Sequence, residues 1–141
     1  MIINADDFGL TSGVNRGIAE AHQRGIVTST TLMANARAFD EAAGLARAFD
    51  AGGGHLSVGC HVVLLDGEPL LPPDRTASLL QPKTAAGGRR FRDSLKHFVI
   101  ASFRQQLAAD EIEAEATAQM ERIQTAGVRP SHFDTHKHAH M

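Results

Sequence analysis

The chain has 141 residues, 43% of them hydrophobic and 21% charged, with a net charge of -2, the composition of one soluble globular domain with a core of its own. That charge gives no electrostatic basis for binding nucleic acid or an anionic membrane. No apolar run approaches the ~20 residues of a membrane span, and Asp6 and Asp7 interrupt the N-terminus where a signal core would lie. One cysteine, Cys60, excludes an intrachain disulfide and fits a reducing cytoplasm.

In chain order, Met1-Ile2-Ile3 reads as a short buried first strand, followed by the adjacent carboxylates Asp6 and Asp7 and a turn at Gly9. In sheets built of strand-helix units, ligands and catalytic groups gather at the carboxyl ends of the strands. Two acids are costly to place there unless a cation neutralises one or a reaction uses the other. Thr11-Ser12 offers a helix N-cap, and Val14, Ile18 and Ala21 recur at helical spacing before Gly25. Ile26 to Met33 is rich in β-branched residues and predicts a second strand. Ala36 to Ala51 predicts a second helix, with Phe39, Ala43, Ala46 and Phe49 as its buried stripe. His55 to Leu65 predicts a third strand, apolar enough to be buried on both faces.

From Asp66 to Arg90 the pattern lapses into glycines and prolines, which predicts a long functional or partly mobile loop over 66–90. Phe91, Leu95, Phe98, Val99, Ser102 and Phe103 trace a helical face. Asp110 with Glu113 resembles a capping box for one more helix, whose stripe is Ile112, Ala116, Met120 and Ile123 and whose stop is Gly127 and Pro130. Ser131 to Met141 starts like a strand. Alternating strand and helix signals point to an α/β fold of parallel βα units in a single domain, 1–141. Four such strands ending on the most functional-looking segment make an incomplete architecture. The expectation is an N-terminal portion of a longer domain, or a chain that a second copy completes as a homo-oligomer through the exposed sheet edge.

Four of the eight histidines fall in the last ten residues. On a continuing strand, His132, Asp134, His136, His138 and His140 would share one face. So many ionisable groups make a poor core, which points to a metal or catalytic role for at least one of them. One carboxylate with two imidazoles leaves positions open for water and substrate on a divalent ion. Each signal alone has a plainer reading. An aspartate before a glycine turn often only caps the next helix. His61 within an apolar strand is either a buried histidine satisfied by a backbone carbonyl or a neutral ligand whose other nitrogen is oriented from behind. Cys60 should face the other side of that strand as a buried, inert thiol.

Taken together, NADDFG at the N-terminus, GIVTSTTLM at 25–33, GCHVVLLDGEPL at 59–70 and SHFDTHKHAHM at 131–141 resemble the YdjC-like carbohydrate deacetylase family. That family includes chitooligosaccharide deacetylases and hopanoid-biosynthesis-associated relatives. The resemblance spans essentially the whole chain. It implies a metal-dependent deacetylase on a (β/α)-barrel-like fold, of which this chain would be part. By the family pattern, Asp7, His61 and His136 bind the divalent metal, Mg²⁺ or Zn²⁺ first among the candidates. By similarity to the wider polysaccharide deacetylase group, Asp6 is the catalytic base. Many members carry adjacent histidines where this sequence has Lys137 and then His138, so His138 or His140 is the candidate acid. The implied substrate is an acetylated amino sugar, with Asp134 orienting an imidazole. Two alternatives stand beside this reading: another metallohydrolase, such as a phosphoesterase, because ligands do not name the scissile bond, and an inactive metal-binding or self-associating module.

Overall fold

The computed structural model describes residues 1–81 and 89–139. Its frame is a sheet of four parallel strands in sequential order, β1 (Asn4–Phe8), β2 (Ser29–Leu32), β3 (Ser57–Val62) and β4 (Phe133–Thr135). Helices α1 (Ser12–Arg24), α2 (Phe39–Ala51), α3 (Leu95–Phe103) and α4 (Ala109–Thr125) lie between them in the chain. Consecutive strands that are also neighbours, all parallel, form the singly wound βα pattern of a barrel arc.

The expected first strand is displaced. Met1 and Ile2 are 98% and 81% exposed, and pairing with β2 begins only at Asn4. Asp6 and Asp7 are therefore inside β1, beside the ladder rather than beyond it. The α1 boundary is the one the sequence gives away: the Thr11 hydroxyl accepts from the Val14 amide at 3.2 Å. On α2, Phe39, Ala43 and Ala46 are buried as the stripe requires, while Phe49 is half-buried against the His22 ring.

The two faces of the sheet differ. Phe8, Leu32, Cys60 and Val62 pack into the core beneath the helices. The opposite face carries Asp6, Thr31, His61 and Asp134, joined side by side by hydrogen bonds. β3 is buried on both faces from Val58 to Val62, as expected, but alternation puts Ser57, Gly59 and His61 together and makes one of those faces polar.

Helix α4 starts without a capping box. Its N-cap is Ala108, which has no side-chain acceptor, and Asp110 falls inside the helix rather than at its cap; other acids of its first two turns bond outside the helix. Glu111 accepts from the Ser78 amide and hydroxyl, each at 2.7 Å. Glu115, fully buried, accepts from the Leu70 and Leu71 amides at 2.9 and 3.0 Å and from Gln119. Gln119 in turn both accepts from and donates to the Val63 backbone. The apolar stripe of this helix is consequently mixed: Ile123 is buried, whereas Ile112, Ala116 and Met120 are only partly covered. These clamps hold much of the 66–90 segment in place, with Leu80 bridging Phe91; residues 82–88 of that expected loop lie outside the described residues. At the C-terminal end of α4, Gly127 takes φ +79, the left-handed residue that closes a helix.

Candidate metal centre

The site begins with an irregularity in β1. Ala5 pairs with Thr30 and Phe8 with Leu32, so Asp6 and Asp7 both stand opposite Thr31. This bulge is accommodated at Asp7, whose φ is 65°, a left-handed conformation that aspartate tolerates better than most residues. In a regular strand the two carboxylates would point to opposite faces; here both reach the same cluster. The following turn is fixed by Gly9 at φ 97°, where a Cβ would come within 3.2 Å of the Met33 carbonyl. The Gly9 amide donates to the buried side chain of Asn15 at 2.8 Å, and Asn15 donates to the Ala38 carbonyl. Helix α1 thereby anchors the turn that sets Asp7.

Three expected ligands converge. Asp7 Oδ1 lies 3.3 Å from His61 Nε2 and 3.1 Å from His136 Nδ1, and the two ring nitrogens are 3.3 Å apart. Each offers one donor atom, all within 4.8 Å of one another. His61, 3% exposed on β3, has its other nitrogen 2.6 Å from Asp134 Oδ1. A carboxylate only accepts, so Nδ1 donates its proton to Asp134, and Nε2 is the ring atom left on the side of Asp7 and His136. Burial, with His61 and Lys137 acting in the same direction, draws His136 below the ordinary imidazole range against the pull of Asp7. A neutral imidazole is the form that ligates. One carboxylate oxygen and two imidazole lone pairs facing a common point suit a divalent cation and leave coordination positions open.

A second group, Asp6, His61 and Asp134, overlaps the first. The short Nδ1–Asp134 bond fills the space between those two with a proton, so the overlapping groups reduce to one candidate cation site backed by a layer of hydrogen bonds. In that layer Asp6 Oδ1 accepts from Asn4 Nδ2 at 2.7 Å and lies 3.3 Å from Thr31 Oγ1.

The C-terminal histidines depart from simple alternation. β4 ends at Thr135, and a short 3-10 turn covers His136–His138 with Lys137 and His138 at φ 53° and 54°. This turn aims His136 at Asp7 and leaves His138 exposed on the rim. His132 sits on the polar face one row away, its ring over Gly59 and its Nδ1 2.8 Å from the Ser131 hydroxyl. His140 lies outside the described residues. Lys137 pairs with Asp66, also left-handed at φ 55°, and that ammonium holds the Asp66 carboxyl below its usual range. Of the five left-handed side-chain-bearing residues among those described, Asp7, Asp66, Lys137 and His138 lie at this end of the sheet and the fifth, Gln105, follows α3, a concentration of backbone strain expected where geometry serves chemistry. Cys60 is fully buried on the far face, its thiol pushed up to about 12 by burial, which makes it inert.

Sequence reasoning passed over Thr31, Asn15, Glu115 and Gln119. None left a usable local signal: Thr28, Ser29, Thr30 and Thr31 are a continuous hydroxyl-bearing run, so strand alternation does not single out Thr31.

A family model described as YdjC-like protein matches residues 1–141. A carbohydrate deacetylase of Brevibacillus brevis is 41% identical over 140 residues, covering 99% of this chain and 50% of that protein. A chitooligosaccharide deacetylase of Proteus mirabilis is 40% identical over 143 residues, covering 100% of this chain and 50% of the relative. Among solved structures, a candidate cellobiose-phosphate cleavage protein of Enterococcus faecalis superposes with a TM-score of 0.77 at 35% identity, over 99% of this chain and 49% of that one. The chain therefore spans about half the length of the relatives it matches.

Proposed function

The chain belongs to the YdjC-like protein family, and from that premise we propose that it carries the metal centre and catalytic base of a carbohydrate deacetylase. The reaction is hydrolysis of an N-acetyl group on an amino sugar, releasing acetate and a free amine. The observation that carries this reading is the convergence of Asp7, His61 and His136, with Asp7 turned by the bulge toward the face that Asp6 already occupies. The names of the relatives support the substrate class.

In this mechanism Asp7, His61 and His136 hold a divalent ion, Mg²⁺ or Zn²⁺. Such an ion supplies Lewis-acid polarisation of the acetyl carbonyl and acidification of the attacking water. Asp6, steadied by Asn4, accepts the proton of that water as it adds to the acetyl carbon. Asp134 keeps His61 in the tautomer that presents Nε2. The exposed His138 donates the proton that the departing amine nitrogen needs. The Lys137–Asp66 pair and Glu68 form part of the rim that a sugar would meet. The buried, unbridged Cys60 is in keeping with a reducing cytoplasm, and no helix among the described residues is long and apolar enough to cross a membrane.

The test is elemental analysis of the purified chain, followed by acetate release from N-acetylglucosamine oligomers, with phosphate esters assayed in parallel. About one ion per chain, lost in His61→Ala, and acetate release lost in Asp6→Asn are the expected results. Unchanged metal content in both Asp7→Ala and His61→Ala, or turnover of phosphate esters alone, refutes the assignment.

A second reading concerns association. Phe133 on the outer strand is 71% exposed. It borders an open apolar groove of about 740 Å³ that Val62, Phe98, Ile112 and Met120 also line. Exposed apolar surface beside an unpaired strand edge favours a homo-oligomer formed through β4. Light scattering should find a dimer or larger species, and a monodisperse monomer counts against it.

A further inference from the structure

Thr31 stands at the junction of the candidate site's backing side chains. It is fully buried on β2, opposite the bulge. Its hydroxyl oxygen lies 3.3 Å from Asp6 Oδ1, 3.2 Å from His61 Nδ1 and 3.3 Å from Asp134 Oδ2. One hydroxyl has one proton to give and two lone pairs to offer. The two flanking carboxylates, when ionised, can only accept, so this proton is shared between them. A lone pair of the same oxygen faces the His61 Nδ1–H, which already donates to Asp134 at 2.6 Å.

The neighbouring Thr30 shows what a purely architectural threonine does on this strand. It points to the other face and donates to the Ala5 carbonyl at 2.7 Å, tying β2 to β1. Thr31 is instead ringed by the side chains of the candidate centre. A β-branched apolar residue of the same shape would suit a buried strand position equally well, so the hydroxyl, not the shape, is what the site gains.

We propose that Thr31 is a positioning residue that holds the Asp6 carboxylate and the His61–Asp134 pair in one fixed arrangement about the metal centre. This rests on the reading that Asp7, His61 and His136 bind a divalent ion. Asp6 is gripped from one side by Asn4 and from the other by Thr31; without the hydroxyl it can rotate away from the cluster. Asp134 and His61 lose the shared contact that keeps the imidazole plane aimed at Asp7. Hydrogen-bond partners behind a ligand typically govern about 10- to 100-fold of metal affinity or activity.

The test compares wild type, Thr31→Val and Thr31→Ser, with Thr30→Val as the architectural control. Co²⁺ affinity is read from visible absorption, and kcat and KM from acetate release. Thr31→Val should lose about 10- to 100-fold in Co²⁺ affinity and kcat with little change in KM. Thr31→Ser should restore most of both, and Thr30→Val should affect the melting temperature but not the Co²⁺ spectrum. Thr31→Val with the wild-type spectrum, affinity and kcat overturns the proposal. So does Thr31→Ser failing as badly as Thr31→Val, since the methyl would then be what matters. A Thr31→Val chain that cannot fold while Thr31→Ser folds normally also overturns it, by making the hydroxyl a structural requirement. Wild type that binds Co²⁺ but releases no acetate refutes the deacetylase reading alone, and the affinity series still decides Thr31. Wild type that binds no Co²⁺ overturns the metal reading and this one with it.

Discussion

Replacing Asp134 gives a graded measure of how much the backing hydrogen bond contributes to the centre. In Asp134→Asn the side chain keeps its size and an acceptor oxygen for His61 Nδ1, now 2.6 Å from a carboxylate, but loses its charge. A hydrogen bond to a charged group contributes ~1.5–3 kcal/mol and a neutral one ~0.5–1.5. The exchange therefore costs about 1 kcal/mol, taken at the low end because the Asp134 side chain is 35% exposed to screening solvent. That is about fivefold in metal affinity at ~1.4 kcal/mol per decade. Asp134→Ala removes the acceptor altogether. The Thr31 hydroxyl, 3.2 Å from Nδ1, replaces it only in part, and the ring can turn or change tautomer, so the loss rises toward ~100-fold. Titration calorimetry with Zn²⁺ on the three chains reads both affinity and stoichiometry. The order wild type, Asn, Ala with stoichiometry unchanged is the expected outcome. An Ala variant that binds as tightly as wild type would show that His61 needs no support from behind, and the argument for its tautomer would fail.

Three further outcomes follow from named contacts. Glu115→Ala strips the acceptor from the Leu70 and Leu71 amides; at ~1–3 kcal/mol for each donor left without a partner, a loss of ~2–5 kcal/mol in urea unfolding is expected, and a loss below ~1 kcal/mol would contradict the clamp. Asp7→Gly and Asp7→Ala should both abolish metal binding, but the Ala chain should be the less stable by ~1 kcal/mol because φ 65° costs alanine and not glycine; equal stabilities would mean that the bulge is not held there. The Asp66 carboxyl is held below its ordinary 3.8 by Lys137, so its contribution to stability is present above that value and disappears as pH falls through the lower folded one. Both side chains are more than a third exposed, so Lys137→Met should cost at most ~1 kcal/mol at pH 7 and should flatten the melting-temperature decline below about pH 4, whereas a wild-type pH profile in that variant would remove Lys137 as the cause.

The elements of the fold were legible where burial follows periodicity. The α1 cap, the β2 and β3 cores, the α2 stripe and the Gly127 stop all come from side chains whose own chemistry fixes the local backbone. The misses share one cause, which is that long-range partners override local pattern. Met1 to Ile3 is apolar enough for a strand, yet the ladder available on β2 begins opposite Asn4. Asp110 and Glu113 have the spacing of a cap, yet α4 directs Glu111 and Glu115 to the loop that crosses it. Glu115 and Gln119 were passed over because nothing local reveals the two loop amides and the β3 backbone that they satisfy.

The candidate site shows the same division more sharply. Residue types and order alone point only to a role for at least one C-terminal histidine and leave His61 open between a buried histidine and a ligand; the set Asp7, His61 and His136 comes from the resemblance to the family. The device that brings them together is backbone geometry, which composition does not display. Strand alternation, applied to Asp6-Asp7, separates two acids that must both serve the cluster. Applied to the C-terminal segment, it gathers histidines that the structure holds apart. In both places a left-handed residue resolves the conflict: Asp7 in the β1 bulge, and Lys137 with His138 in the turn after β4. Each of these positions costs the chain backbone strain that a regular strand would avoid. The strain is sustained by specific ties, the Gly9–Asn15 bond beneath one turn and the Lys137–Asp66 pair across the other. Loosening either tie should therefore impair the cluster before it unfolds the sheet, since the strands are held by their own ladders and the aim of Asp7 and His136 is not.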